Sequence, residues 1–411
     1  IQYIMQHECG NFTFVSKPKI SVKDTLITVK LTETGLNKYV KQNVDYLYQF
    51  LTDINIPDIT VTAGLFQLTL IDVHMKDLSV PIIDLKFIEN TSQFNMMNLK
   101  ISFQFHFKIQ QQTYPYVSDE GDGTLSVAVH ILGEVQPQFI ESCPDRVQMQ
   151  TVSSQLILDE IRLKMNGNMQ FLYDTLSPIL TSAIKQVFNA RMNQVLYEQL
   201  IIGFNFALTD YRQVVQSADS TYGADNRNVN VKITPDFLVS QFTCQVHKVD
   251  FATKTVQNWV ETTAQPRPEV VSNYDIQYFI QKDVYQIALN CFNEFTEEFK
   301  DVKFEVMKFV RMGLMTKAQT KDFSAVLLFQ IKIDFREYKK ADNDSNFNLA
   351  FNKVLECVGD CAKVETLGYE VEKHSNRAAV AIAQSNSMDA RECINIYVND
   401  NYFHVGCQQF V

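Results

Sequence analysis

Thr25–Asp58 reads TLITVKLTETGLNKYVKQNVDYLYQFLTDINIPD, and the order of elements in it decides the fold. Thr25–Leu31 alternates as a strand does, with Ile27, Val29 and Leu31 on one face. Thr32 stands where a helix N-cap belongs, its hydroxyl placed to accept a first-turn amide proton. Leu36, Val40, Val44, Leu47 and Leu51 then recur at helical spacing, flanked by Tyr39 and Tyr48. Pro57 forbids the helix from continuing. The unit is a strand, a capped amphipathic helix, a proline stop and a second strand.

TETGL at the opening of this helix and INIPD at its close resemble the start of the bactericidal/permeability-increasing and lipopolysaccharide-binding protein family. Cholesteryl ester transfer protein belongs to the same group, within the tubular lipid-binding superfamily. Phe66–Pro81 (FQLTLIDVHMKDLSVP), Gly121–Gly133 (GDGTLSVAVHILG) and Ser182–Leu200 (SAIKQVFNARMNQVLYEQL) resemble later parts of the family's first barrel. The resemblance covers most of Lys19–Leu200 with specific motifs and Ile201–Val411 more loosely. It implies an α+β fold: two tandem twisted antiparallel sheet barrels wrapped around long amphipathic helices, in an elongated boomerang with a central sheet. Between helix and sheet it implies a lipid slot.

The 411 residues exceed what one ordinary hydrophobic core organises, so at least two domains are expected. Thirty phenylalanines and 17 tyrosines against 13 glycines and 10 prolines favour long aromatic strands over a loop-rich architecture. No apolar run approaches the roughly 20 residues of a membrane-crossing helix, which points to a soluble chain. Lys+Arg 37 against Asp+Glu 47 gives a net charge of −10. An acidic surface argues against nucleic acid and against strong electrostatic docking on anionic membranes. The family's lipopolysaccharide binders use basic residues at the N-terminal tip. No lysine or arginine cluster here could do the same, which argues against endotoxin binding.

The eight cysteines (Cys9, Cys143, Cys244, Cys291, Cys357, Cys361, Cys393, Cys407) are too dispersed for zinc knuckles. Their even number suits disulfides in an oxidising compartment, although spacing does not assign the pairs. Asn11, Asn90 and Asn343 open N-x-Ser/Thr sequons, and the chain begins at Ile1 without a signal-like segment. Together these features read as a mature, secreted, extracellular glycoprotein. In the family a disulfide ties the long helix of the first barrel to a neighbouring strand. Here Cys143 falls near the strand position but the helix position is about Tyr197, leaving Cys143 to pair with Cys9 or to stay free.

Along the chain, strands are expected at Ile59–Val61, Leu65–Leu70 and Asp77–Leu85. Ile101, Phe103, Phe105, Phe107 and Ile109 share one strand face, the clearest period-two signal present. Tyr114–Gly123 reads as a turn, after which Leu125, Val127, Val129 and Ile131 resume the alternation. Asn168–Leu200 is a second organising helix, which Ser177-Pro178 either begins or interrupts. Ile201–Leu208 and Val229–Val246 are strand-like, and Ala264–Pro268 is the best linker. Lys282–Phe299 repeats the opening helix. Strands follow at Lys303–Val310, Ala325–Phe335, Glu370–Glu372, Ala378–Ile382 and Ile394–Val405. Asn346–Val358 carries a partial helical pattern, and no second long helix falls between Gln384 and Glu392. The expected organisation is therefore an N-terminal lipid-binding barrel (1–200), central-sheet strands with a linker (201–269), and a reduced C-terminal barrel-like domain (270–411) lacking the second long helix.

No G-x-S-x-G elbow, H-E-x-x-H, P-loop or paired C-x-x-C is present, so the sequence does not read as an enzyme, and no metal is implied. His106 and His130 sit on polar strand faces as solvated side chains. Asp119-Glu120-Gly121-Asp122 lacks the alternation of a calcium loop and reads as a solvated turn. Cys357-Val-Gly-Asp-Cys361 favours structural bonding over redox work. Periodicity alone does not distinguish a filled core from a lipid-lined slot. Within the family frame, Leu36, Val40, Val44 and Leu47 face acyl chains, and Ile184, Val187, Phe188, Met192 and Val195 line the same slot from the second helix. The leading reading is a lipid-binding or lipid-transfer protein without a cofactor, holding a phospholipid or similar amphiphile and touching membranes or lipid particles transiently. The alternative is a structural glycoprotein subunit of an extracellular coat or filament, with self-association into a homo-oligomer or filament in place of exchange.

Overall fold

The computed structural model describes residues 13–14, 19–42, 58–140, 143–186, 214–216, 222–256, 261–262, 265, 267, 273–293, 297–311, 313–332, 348–383 and 390–409. The chain divides into two compact units. One holds Val40–Gln136 and Met149–Ala207; the other holds Ile1–Tyr39, Pro137–Gln148 and Leu208–Val411. The strand and the helix of the opening motif thus begin in the second unit, and residues 201–411 are not split at the proposed linker.

In the first unit, strands Ile59–Ala63, Phe66–Leu78, Thr91–Gln111, Ser118–Ile140 and Cys143–Gly167 form one sheet in that order. Thr91–Gln111 runs the length of it. Its first part pairs with Ile82–Ile88 and its second with Phe66–Leu78, while Ser118–Ile140 lies on its other side. The expected strand Asp77–Leu85 is cut by Ser79–Pro81, since Pro81 has no N–H to offer a ladder. The register slips between Ile71 and His74 and between Met96 and Leu99, at Asp72 and Asn98, both left-handed (φ 54° and 59°). Such bulges bend a strand and raise its twist, which curls the sheet into a half-barrel.

The inner face is continuous. Leu68, Leu70, Phe94, Ile101, Phe103, Phe105, Phe107, Ile109, Leu125, Val127, Val129 and Ile131 are all buried on it. Two of the large rings fit because glycines oppose them: Phe94 pairs with Gly133 and Phe105 with Gly123. A Cβ at Gly133 would lie 2.3 Å from the Phe94 ring, and one at Gly123 would lie 2.4 Å from the Phe105 ring. Gly133→Val is therefore expected to lower stability by about 1–3 kcal/mol, as overpacking does, with a lower urea midpoint. Phe94→Leu in the same chain should restore part of the loss; simple additivity would show that the ring and the glycine do not compete for one space.

The second unit is built on a six-stranded sheet in the order Asn228–Ile233, Phe237–Phe242, Ile27–Thr32, Ile276–Gln281, Tyr402–Gln409, Ala390–Val398. Start, middle and end of the chain meet there. The opening motif explains one corner. Thr32 Oγ1 accepts the Gly35 N–H at 3.0 Å, the expected N-cap of helix α1 (Glu33–Gln42). Lys38 Nζ donates to Asp275 at 2.8 Å. A side chain at Gly35 would meet the Asp275 carbonyl at 2.8 Å, so glycine lets the helix approach the strand that begins at Ile276. The later part of the predicted helix, from Asn43 to Leu51, lies outside the described residues.

A second, four-stranded sheet (Lys303–Val310, Gly313–Gln319, Phe323–Lys332, Asn348–Gly359) shares its core with the central sheet. Four segments correct the sequence reading. Lys282–Phe299 is a ten-residue helix, Asp283–Phe292, followed by a short 3-10 turn at Glu297–Phe299. Asn346–Val358 is not helical but the strand Asn348–Gly359; two register slips along it disturb the period-two pattern. Glu370–Glu372 and Ala378–Ile382 are not strands but parts of a 20-residue helix, Val364–Ala383. The second long helix that the C-terminal part was expected to lack is therefore present, ahead of Gln384–Glu392. Its buried stripe is Val364, Leu367, Val371 and Ser375, at helical spacing but half concealed by Gly368 and by the short alternation around Val371.

With Asp283–Phe292 as α3 and Val364–Ala383 as α4 (170–186 being α2), α4 shields the open edge of Asn348–Gly359. The Leu349 N–H donates to Ser375 Oγ at 2.9 Å and the Phe351 N–H to Glu372 Oε2 at 3.0 Å. Edge N–H groups that would otherwise template pairing are satisfied by helix side chains. Gly368 lets the helix in: a Cβ there would lie 2.3 Å from the Phe351 ring.

Cys357–Cys361 and Cys393–Cys407 are disulfides, and Cys244 and Cys291 are buried thiols. Cys9 lies outside the described residues, and with it the Cys9–Cys143 alternative. Of Ala264–Pro268, Gln265 and Arg267 are described. The Tyr402 hydroxyl donates to the Gln265 carbonyl at 2.8 Å, and the Arg267 guanidinium lies 5.2 Å from the Phe279 ring centre. Gln265 and Arg267 thus each contact a central-sheet residue of the same unit.

Candidate functional site

The candidate site is the contact between α2 and the inner face of the half-barrel. α2 passes through Pro178 without ending, so the helix is the longer of the two alternatives the sequence allowed. Tyr173, Leu176, Leu180 and Ile184 recur at intervals of three and four and are buried against the sheet. Leu180 and Ile184 are fully enclosed. The helix covers Phe107 directly, the Tyr173 ring meeting it edge to face at 5.3 Å.

One carboxylate fixes the start of α2. Asp119 accepts the Met169 N–H at 3.0 Å, the Asn168 side-chain amide at 3.3 Å and the Glu120 N–H at 2.9 Å, and it receives the Tyr173 hydroxyl. The Tyr173 hydrogen bond, aided by these amides, holds the Asp119 carboxyl below its usual range. Burial first, and then Asp119, push the Tyr173 hydroxyl up to about 12. The segment read as a solvated acidic turn is instead strand from Ser118 onward, with Asp119 opposite Ile109. Sequence reasoning missed this residue because its partners lie 50 positions away.

Asp119→Ala is expected to cost about 1 kcal/mol, as loss of an N-cap does, and to raise amide exchange in the first turns of α2 several-fold. Unchanged exchange there would remove the latch assignment. A depressed carboxylate contributes stability above its unfolded pKa and loses it as pH falls through its lower folded value. The latch should therefore hold at neutral and mildly acid pH and open only below the ordinary carboxylate range.

The predicted slot residues do not all come together. Ile184 lies on the buried face of α2. Leu36 packs instead against the core of the central-sheet unit, because α1 is tied there through Thr32 and Lys38. Val40 is half-buried. Val44, Leu47, Val187, Phe188, Met192 and Val195 lie outside the described residues. Of the sequon asparagines, Asn90 is exposed in a turn, while Asn11 and Asn343 lie outside the described residues.

Beside the latch, one end of the half-barrel presents large apolar side chains to solvent. Tyr114 and Phe171 are each 85% exposed, Tyr116 68% and Leu65 55%. The Gln112 N–H donates to the Leu65 carbonyl at 2.8 Å, joining the two turns, and the Tyr114 and Tyr116 rings meet at 6.4 Å. Phe171 belongs to the same end because the start of α2 is held by Asp119.

The central-sheet unit has its own helix–sheet contact, filled by aromatic groups. Tyr222 and His374 are hydrogen-bonded and buried, and His374 is ringed by Phe292 and Phe299, each with its centroid 5.7 Å away.

Residues 35–203 match the LBP / BPI / CETP family, N-terminal domain. Over 198 residues the chain is 24% identical to phospholipid transfer protein of Mus musculus, an overlap of 48% of this chain and 39% of that protein. The chain thus spans about two fifths of the length of that curated relative. Lipopolysaccharide binding protein has a similar fold by its crystal structure, with a TM-score of 0.59 at 11% identity over 93% of this chain and 98% of that one.

Proposed function

Residues 35–203 belong to the LBP / BPI / CETP family as its N-terminal domain, and on that premise we propose that the chain is a secreted lipid-binding and lipid-transfer protein. The observation that carries the reading is the continuous apolar half-barrel face with the amphipathic helix α2 laid on it. Helix and sheet part, acyl chains slide between them, and the head group remains at the mouth. Each acyl methylene taken from water contributes about 0.8 kcal/mol, so two chains bind firmly without charged contacts. The latch at Asp119 and Tyr173 holds the first turn of α2 beside the exposed aromatic end. The exposed aromatic end, beside the latch, is the surface that meets a membrane or lipid particle: tyrosine rings suit the interface between head groups and chains. Secretion is supported by the two disulfides, which persist in oxidising compartments.

A second reading is favoured by one observation: Leu180, Ile184 and the sheet residues beneath them are closely packed. A structural subunit would keep this contact permanently closed. Native mass spectrometry of the purified chain, with lipid extraction and identification, separates the two. One or two defined lipids per chain, exchanging between labelled vesicles, support transfer. A bare mass, large assemblies and no exchange would replace it with the structural role.

A further inference from the structure

We propose that Asn90 carries an N-linked glycan, on the end of the half-barrel that faces away from the lipid surface. Ile88 pairs with Thr91, which leaves Glu89-Asn90 as a two-residue turn. Asn90 is exposed there, with φ 66°, a conformation that asparagine tolerates better than most residues. It opens the sequon Asn90-Thr91-Ser92, and a glycan on a reverse turn projects into water without displacing the sheet. The disulfides at Cys357–Cys361 and Cys393–Cys407 belong to the same oxidising route on which such glycans are added.

The position also has a direction. Thr91–Gln111 starts at this turn and ends at the turn bearing Tyr114 and Tyr116. At about 3.3 Å per residue, its 21 residues put the path between the two turns on the order of 60–70 Å. A hydrated oligosaccharide does not enter a bilayer, so its attachment at the far turn leaves the aromatic end unobstructed. The orientation rests on the docking reading above; the modification does not.

The test is peptide mapping of the chain secreted by eukaryotic cells, before and after enzymatic removal of N-glycans. The expected result is one oligosaccharide at Asn90. Asn90→Gly, which keeps the left-handed turn, and Ser92→Ala, which keeps the asparagine, should each abolish it, and Glu89→Gln should not. An unmodified Asn90 in the secreted, folded chain would overturn the proposal, as would retention of the glycan in Ser92→Ala. On phosphatidylcholine vesicles the Asn90 glycan should stay open to glycosidase; protection would overturn its placement at the water-facing end. A glycosylated chain that binds no vesicle leaves the modification standing and removes the docking reading.

Discussion

Tyr114→Ser, Tyr116→Ser and Phe171→Ser combined should lower partition of the chain onto phosphatidylcholine vesicles by about 100- to 1,000-fold while leaving its urea midpoint nearly unchanged. The three side chains are mostly in water in the free protein, so their removal opens no cavity, and exposed substitutions of this kind usually alter stability by less than about 0.5 kcal/mol. On a lipid surface the same rings leave water. A fully buried side chain of this size contributes about 1.5–3 kcal/mol, so burying roughly half of each of three gives about 3–4 kcal/mol. Leu65 remains as the residual anchor. Phosphatidylcholine carries no net charge for the chain's −10 to attract or repel, so vesicle binding of the parent chain should change little between low and physiological salt. Unaltered partition of the triple variant would remove this end of the half-barrel from the mechanism, whatever the slot holds. A strong salt dependence would point to a contact of a different chemical kind.

The sequence was most legible where one local rule acted alone. The alternation from Ile101 to Ile109 gave a strand face that is buried throughout, because period two is a property of the backbone and survives any partner. Thr32 was readable as a cap for the same reason: donor and acceptor are three residues apart. The errors lie where long-range contacts decide. α4 contains a glycine that looks like a breaker until Phe351 is seen filling the space above it. Asp119 belongs to a helix that starts at residue 170, and nothing within its own neighbourhood announces that. Leu36 fits the slot stripe by period, but the fold sends it to the other unit, because Gly35 allows α1 to sit against Asp275. In the candidate site, the helix face was visible as a stripe, whereas the exposed aromatic end required three separate segments to be placed at one edge.

His404 should make the central sheet sensitive to acid, and His404→Phe should remove most of that sensitivity. His404 is fully buried in Tyr402–Gln409, stacked on Phe279 at 4.1 Å, with Tyr397 paired beside it on the neighbouring strand. Neither ring nitrogen has a hydrogen-bond partner among the described residues. Two cations lie at the Phe279–His404 stack: Lys30 Nζ is 5.3 Å and the Arg267 guanidinium 5.2 Å from the Phe279 ring centre. Burial first, then Lys30 and Arg267, push the imidazole down to about 4. For a base with a depressed folded value, the unfolded chain takes up the proton first. Stability is therefore complete above pH about 6.5 and falls on acidification until the folded value is passed, by about 3 kcal/mol in all. His404→Phe keeps the stack, deletes two unsatisfied nitrogens and should flatten that part of the pH profile between 7 and 4.5. Arg267→Gln, on the surface, should reduce the acid loss by easing protonation of the ring. Urea midpoints for the three chains across this range decide the matter, since the carboxylates contribute equally to all of them. Equal acid losses in the parent and His404→Phe would show that protonation of this histidine does not open the sheet.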